Sequence, residues 1–398
     1  MTLYDEMHQL YKQNEKDWNY YERTMINPFE DSFLVKDFIK EYFNYGGKSM
    51  VVAELINEME PMRHSHTVST FFLGLLLKQK KCPNLEILSL QNDNNFKFSY
   101  LWFIVCLFHD MGYIQENDWM YKYKYRNDSK EYLRQYSKVI KNKFPRRFEY
   151  EDLGIIFCSP IKFRGALINR EHCRNEQGII FNNGINIQKA RYTQNTILNY
   201  LEYCKMNEAI KHYDHGIVGG LWLYDSLIKN YYKQYFIEMK KNNTLLFDNF
   251  VNTENLHFST EQWKIFAYLA DCIISHNIWP ATNQTNYLYN ICGLEQLTME
   301  NYTSISFQED PILYLLALSD TLEPIKTYSG LGLTDIEIWK GISVQINSDK
   351  IVMKIVDSRM PFERLNRKVE GIEHWIDCRV EIDKSIDELK IYFSSQNS

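Results

Sequence analysis

The sequence predicts a mainly α protein: a helical bundle that carries an insertion and a small α+β region at its C-terminal end. Three observations lead there. Apolar residues recur at helical spacing in several separate runs. Those runs open and close on recognisable helix signals. Strict period-two alternation is confined to residues after about 340. With 398 residues, 45% of them hydrophobic, the chain can bury a substantial core, and disorder is not expected.

Residues 1–60 read as N-terminal helices broken at Asn27-Pro28 and at Gly46-Gly47. The main helical region follows over 60–328. Its first helix, from about Met62 to Gln79, carries Val68, Phe71, Phe72, Leu75 and Leu76 on a broad apolar side and is ended by Cys82-Pro83. Asp93-Asn94-Asn95 precedes a strongly apolar helix from Tyr100 to Asp110, and Gly112 then lets the chain turn away. Residues 120–205 read as an insertion of some helix and mobile loops, with a Gly/Asn-rich piece near Gly178–Gly184. From His212 to Glu238 the pattern is helical again. Ser259-Thr260-Glu261 opens a helix that runs to His276, and Asp310-Pro311 opens another that runs to Asp320. Proline is favourable at a first helical position, and Glu323-Pro324 marks the end. Over 340–398 the texture changes. Ile342–Ile346 and Ile351–Ile355 flank Asn347-Ser348-Asp349 as a β-hairpin, Trp375–Leu389 reads as helical, and Lys390–Phe393 as a third strand.

A net charge of −6 gives no overall bias toward nucleic acid. The charge is uneven, however. Between Tyr121 and Tyr150 ten Lys or Arg face three acids, and the basic part, 121–147, is interleaved with tyrosines. Such a mixture suits single-stranded nucleic acid or a nucleotide, although a solvated helix face has the same composition. The eight cysteines form no CxxC pair, and several lie inside apolar runs, as reduced packing residues do in a cytoplasmic protein. The N-terminal run lacks the basic-then-apolar layout of a signal peptide, and no apolar stretch reaches the roughly 18 residues of a membrane span. A cytoplasmic location without membrane contact is therefore expected.

The placement of the histidines is the most informative feature. Of ten, five lie inside or at the end of apolar helices, and two of those five have an acid within one residue: His109 beside Asp110, and His215 beside Asp214. Asp320 closes the run Ile312-Leu-Tyr-Leu-Leu-Ala-Leu-Ser, where a carboxylate is costly unless it is paired or metal-bound. Taken singly, each of these residues fits a capping or solvated role at a helix end. Jointly they form a candidate ligand set, because several separate apolar helices each carry a member.

The order His … His-Asp … His … His … Asp resembles the HD-domain superfamily of metal-dependent phosphohydrolases. The local contexts that carry the likeness are His66-Thr-Val-Ser-Thr-Phe-Phe-Leu-Gly74, Leu107-Phe-His-Asp-Met-Gly-Tyr113, Asp214-His-Gly-Ile-Val-Gly219, Ile274-Ser-His-Asn277 and Leu316-Ala-Leu-Ser-Asp-Thr-Leu-Glu-Pro324. It spans about residues 60–328, apart from much of 120–205. The six-ligand set is similar to the binuclear branch that includes the HD-GYP phosphodiesterases, although Gly112-Tyr113 is followed here by Ile114 rather than proline. The resemblance implies an HD-type helical bundle with two divalent transition metal ions (Fe, Mn, Zn, Co or Ni). One ion would take the first histidine, His109, Asp110 and Asp320, with Asp110 bridging to a second held by His215 and His276. The first histidine is either His64 or His66. They stand about 200° apart around a helix and cannot both face one ion. Each fits a pattern of the family, and His66 is favoured.

The implied activity is a phosphohydrolase or phosphodiesterase in which a metal-bridging hydroxide attacks phosphorus. Asp110 stands at the centre of that chemistry. Arg63 and Lys326 flank ligand positions as candidate catalytic cations, and Tyr113 is a further candidate. Asp214 and Glu323 are candidates to orient their neighbours. The expected substrate is a nucleotide or another small phosphorylated compound. Single-stranded nucleic acid at the basic insert and a second copy of the chain are further candidate partners. Two other readings stand beside this one. The first is a di-iron oxygenase of HD type, and the second a non-catalytic metal- or ligand-binding regulatory protein.

Overall fold

A computed structural model describes residues 1–13, 62–88, 95–96, 98–110, 112, 179–187, 199–200, 203, 214–217, 219–220, 223, 260–277, 290–294 and 304–393. The expected helix breaks at 27–28 and 46–47, the basic stretch 121–147, Tyr113 and most of the 212–238 helix lie outside the described residues.

Helix α1 (Leu3–Gln13) opens on Thr2, whose side chain caps the Asp5 amide while the Asp5 carboxylate accepts from the Thr2 amide. Helix α2 spans Met62–Lys81 and, after the short strand β1 (Ile87–Leu88) and its antiparallel partner β2 (Asn95–Phe96), helix α3 spans Phe98–His109. These helices approach closely because residue 74 is glycine. A Cβ there would sit 2.0 Å from the Trp102 ring, and the Trp102 indole donates to the Phe71 carbonyl across the same contact. A second antiparallel pair, β3 (Ile179–Ile180) and β4 (Asn186–Ile187), turns through Gly184 and buries Phe181, which bridges to Ile87.

Helix α4 (Thr260–Ser275) packs against α3, and helix α5 (Pro311–Leu322) packs against both α2 and α4. Helix α5 is capped by Asp310, which accepts from the Leu313 amide, and every one of its residues but Asp320 is buried. Burying a large aliphatic side chain stabilises by about 1.5–3 kcal/mol, so this helix is a principal anchor of the core. The short helix α6 (Ile325–Tyr328) follows directly, and then α7 (Asp335–Lys340) with a capping box between Thr334 and Glu337.

The expectation of a mainly α bundle is overturned by the strand content. Among the described residues 53% are helical and 19% are strand. A four-stranded antiparallel sheet of order β5-β6-β8-β7 is built from β5 (Ile342–Ile346), β6 (Lys350–Ile355), β7 (Cys378–Asp383) and β8 (Glu388–Phe393), with helix α8 (Phe362–Val369) between β6 and β7. The expected hairpin pairs as Ile342 with Ile355 through Ile346 with Ile351. The stretch read as a helix, Trp375–Leu389, is instead mostly strand β7 and the turn into β8. Ile382, Ile386 and Leu389 are spaced like one face of a helix, but positive φ at Asp387 (52°) helps reverse the chain between them.

The sheet shares one apolar core with the helices. Ile342, Met353 and Ile391 are buried in the same cluster as Phe72, Trp102 and Leu316. The first residues of the chain join β5, where Val344 donates to the Met1 carbonyl and Thr2 bridges to Ser343. Among the described residues no helix is long and apolar enough to cross a membrane.

Candidate metal centre

Four elements deliver imidazoles to one place. His66 comes from the second turn of α2 and His109 from the last residue of α3. His215 opens a helical segment after Asp214, and His276 follows the end of α4. Their rings form a row in the order His66, His109, His276, His215, with centroids 5.1, 5.5 and 5.3 Å apart. Asp110 enters from the turn after α3 and Asp320 from the last turn of α5. All four histidines and Asp110 are buried.

Among the described residues, two groups of side chains could each hold a metal ion: His66, His109, Asp110 and Asp320, and then Asp110, His215 and His276. Asp110 belongs to both. Within the first group, His66 Nε2 lies 3.0 Å from His109 Nε2, 3.1 Å from Asp110 Oδ2 and 3.0 Å from Asp320 Oδ1. His109 Nε2 lies 3.4 Å from Asp110 Oδ1 and 3.5 Å from Asp320 Oδ1. Ligands held about 2.1 Å from one ion stand about 3.0 Å apart at adjacent corners of an octahedron and about 3.4 Å apart in a tetrahedron. The observed spacings fall at these values.

Contacts on the far side of three of the rings bear on which nitrogen faces inward. His109 Nδ1 lies 2.6 Å from the Cys106 carbonyl, and His276 Nδ1 lies 2.6 Å from the Ile273 carbonyl. His66 Nδ1 lies 2.7 Å from Glu323 Oε1. A carbonyl oxygen can only accept, so Nδ1 of His109 and of His276 carries the hydrogen and, in the neutral ring, Nε2 presents a lone pair. Nitrogens of two imidazoles and oxygens of two carboxylates therefore converge, a donor set that suits a divalent ion. His276 Nε2 is buried and has no hydrogen-bond partner. A buried polar atom of that kind is costly, and it faces the second group.

Electrostatics agree with this geometry. Burial opposes a charge on His66, but Glu323 and then Asp110 outweigh it and raise the imidazole to about 10. Burial also opposes ionisation of Asp320, yet Lys326, His109 and His66 hold its carboxyl well below the usual range. Burial first, and His215 second, push His276 down to about 4. In the metal-free protein an unfolded chain protonates His276 near 6.5 while the folded chain resists until about 4. The unfolded state thus binds the extra proton inside that window, and stability is lost as pH falls through it. Thermal melts in chelator should drop from pH 6.5 to 4, and His276→Asn should remove part of the slope. An unchanged slope in the variant contradicts the assignment.

His66 belongs to the first ligand group. His64 and Arg63 occupy the first turn of the same helix, and their side chains lie outside the described residues. Lys326 does reach the cluster, with Nζ 3.1 Å from Asp320 Oδ1 and 3.3 Å from Asp110 Oδ2. Asp214 caps the segment that carries His215. Its Oδ1 accepts from the Ile217 amide at 3.0 Å and its Oδ2 from Asn277 Nδ2 at 2.6 Å, while its own amide donates to the Tyr200 hydroxyl. Tyr200 and Asn277 thereby support the segment that bears His215. Asn277 was visible in sequence only as the neighbour of His276, and Tyr200 carries no motif at all. No family model, curated protein or solved structure matches the chain.

Proposed function

We propose that the chain is a metal-dependent phosphohydrolase of HD type, acting on a nucleotide or another small phosphoester at a two-metal centre. The observation that carries this reading is the pair of ligand groups joined by Asp110, with the Lys326 ammonium beside the joint. His66, His109, Asp110 and Asp320 would hold one divalent ion, and Asp110, His215 and His276 the other. Divalent ions in such a site supply a hydroxide nucleophile at neutral pH and positive charge against phosphate oxygens.

The chain's own groups do the rest. The three Nδ1 contacts hold the imidazoles in one orientation, so no reorganisation is needed when a substrate arrives. The buried walls of α3, α4 and α5 keep the dielectric low, which strengthens every charge interaction inside. Lys326, now 14% exposed, sits at the solvent edge of the two carboxylates. From there its ammonium would donate to a phosphoryl oxygen and offset the charge that develops in the transition state.

A panel of nucleotides, cyclic nucleotides and simple phosphoesters, assayed with added Mn²⁺ or Fe²⁺, tests the reading. Phosphate release is expected from at least one of them. Lys326→Met should keep the bound metal and lose about 10²–10³-fold in rate, the usual cost of removing one positioned donor. Hydrolysis at the wild-type rate in that variant contradicts the role given to Lys326. Oxygen consumption without phosphate release contradicts the reaction class.

A further inference from the structure

Glu323 is fully buried at the point where α5 ends. The residue after it is Pro324, which has no amide hydrogen, so the next two amides are those of Ile325 and Lys326. Glu323 takes both. Its Oε2 accepts from Ile325 N at 2.8 Å and its Oε1 from Lys326 N at 3.0 Å. Pro324, in the cap position of α6, makes no side-chain hydrogen bond of its own. The same Oε1 lies 2.7 Å from His66 Nδ1. Lys326 then reaches back to Asp320 and Asp110, so a closed circuit runs from His66 through Glu323 and Lys326 to the two carboxylates that His66 itself faces.

Resting on the metal-centre reading above, we propose that Glu323 is a positioning residue that couples the metal site to phosphate recognition. One carboxylate pairs with the His66 ring and seats the α6 turn that carries Lys326. Shifting that carboxylate moves a metal ligand and the substrate-facing ammonium together. A residue with only a structural role would lower stability without linking these two functions.

The test is a double-mutant cycle on the full chain, with Mn²⁺ and inorganic phosphate as probes. Glutamine at 323 is nearly isosteric but has one acceptor oxygen where three donors converge. Glu323→Gln should weaken Mn²⁺ binding about 10–100-fold, as loss of a ligand's supporting partner does. In Mn²⁺-saturated protein it should also weaken phosphate binding, and adding Lys326→Ala should then cost clearly less than it costs in the wild type. If the two substitutions add independently, or if Glu323→Gln binds both probes as the wild type does, the coupling is wrong. Should that variant not fold, Glu323→Asp keeps the charge and withdraws it by one methylene; wild-type affinity for both probes in Glu323→Asp overturns the proposal. Wild-type protein that binds no Mn²⁺ overturns the metal-centre reading itself, whereas additive substitutions in a protein that binds Mn²⁺ overturn the role of Glu323 alone.

Discussion

Asp110→Asn should empty both metal positions at once. Asp110 is the residue common to the two ligand groups, and it stands 3.1 Å from His66 Nε2 on one side of the joint. Asparagine keeps the shape of the side chain but loses the charge and turns one ligand oxygen into a donor. The loss in metal affinity should exceed the roughly 10–100-fold that follows removal of a mere supporting partner, and phosphate release should fall with it. Fold stability in chelator should change little, because the metal-free protein is relieved of one buried charge next to Asp320. Equilibrium dialysis and a chelated thermal melt separate these effects. A variant that still binds two ions removes Asp110 from the bridging position.

Gly112→Ala should damage the fold and the second ligand group together. A Cβ at this position would lie 1.9 Å from the His215 carbonyl oxygen and 2.7 Å from the His215 Cα. Both are backbone atoms and cannot swing aside as a side-chain end does. The His-Asp turn or the His215 segment must shift, at a cost of about 1–3 kcal/mol for overpacking. His215 moves with that shift, so the ion held by His215 and His276 should be lost first, while the group around His66 and His109 persists. A melt lowered by several degrees together with one remaining ion per chain is the expected result. An unchanged melt with two ions contradicts the close approach.

Much of the site was legible in the sequence because burial of charge is costly in any fold. Asp320 stood out as a carboxylate at the end of a run that belongs in a core, and His109-Asp110 as a charged pair at the end of another. The choice between His64 and His66 was harder, because periodicity gives a helix its faces without saying which face meets which neighbour. The His64 side chain lies outside the described residues, and what the structure adds is the contact of the Glu323 carboxylate with the His66 ring. That contact joins residues far apart in the chain, and no local pattern encodes it.

The fold class was read less well. The alternation of β5 and β6 is clean, and both were expected. Strand β7 alternates too, with Cys378 and Val380 half-buried and Arg379 and Glu381 exposed. Its outer residues are charged, because it is an edge strand with one neighbour, and its continuation mimics a helical face through Ile382, Ile386 and Leu389. Strands β3 and β4 are only two residues long and fall in a Gly/Asn-rich piece expected to be loop. What fixes them is the burial of Phe181 and its bridge to Ile87, a tertiary contact that overrides local propensity.

The central claim is a centre of two metals joined by Asp110. Elemental analysis of protein reconstituted with Mn²⁺ or Fe²⁺ and freed of excess ion tests it most directly. Two ions per chain are expected in the wild type, and one when His215 and His276 are both replaced by alanine. A wild-type chain that retains no ion after reconstitution, or the same count with and without His215 and His276, contradicts the account.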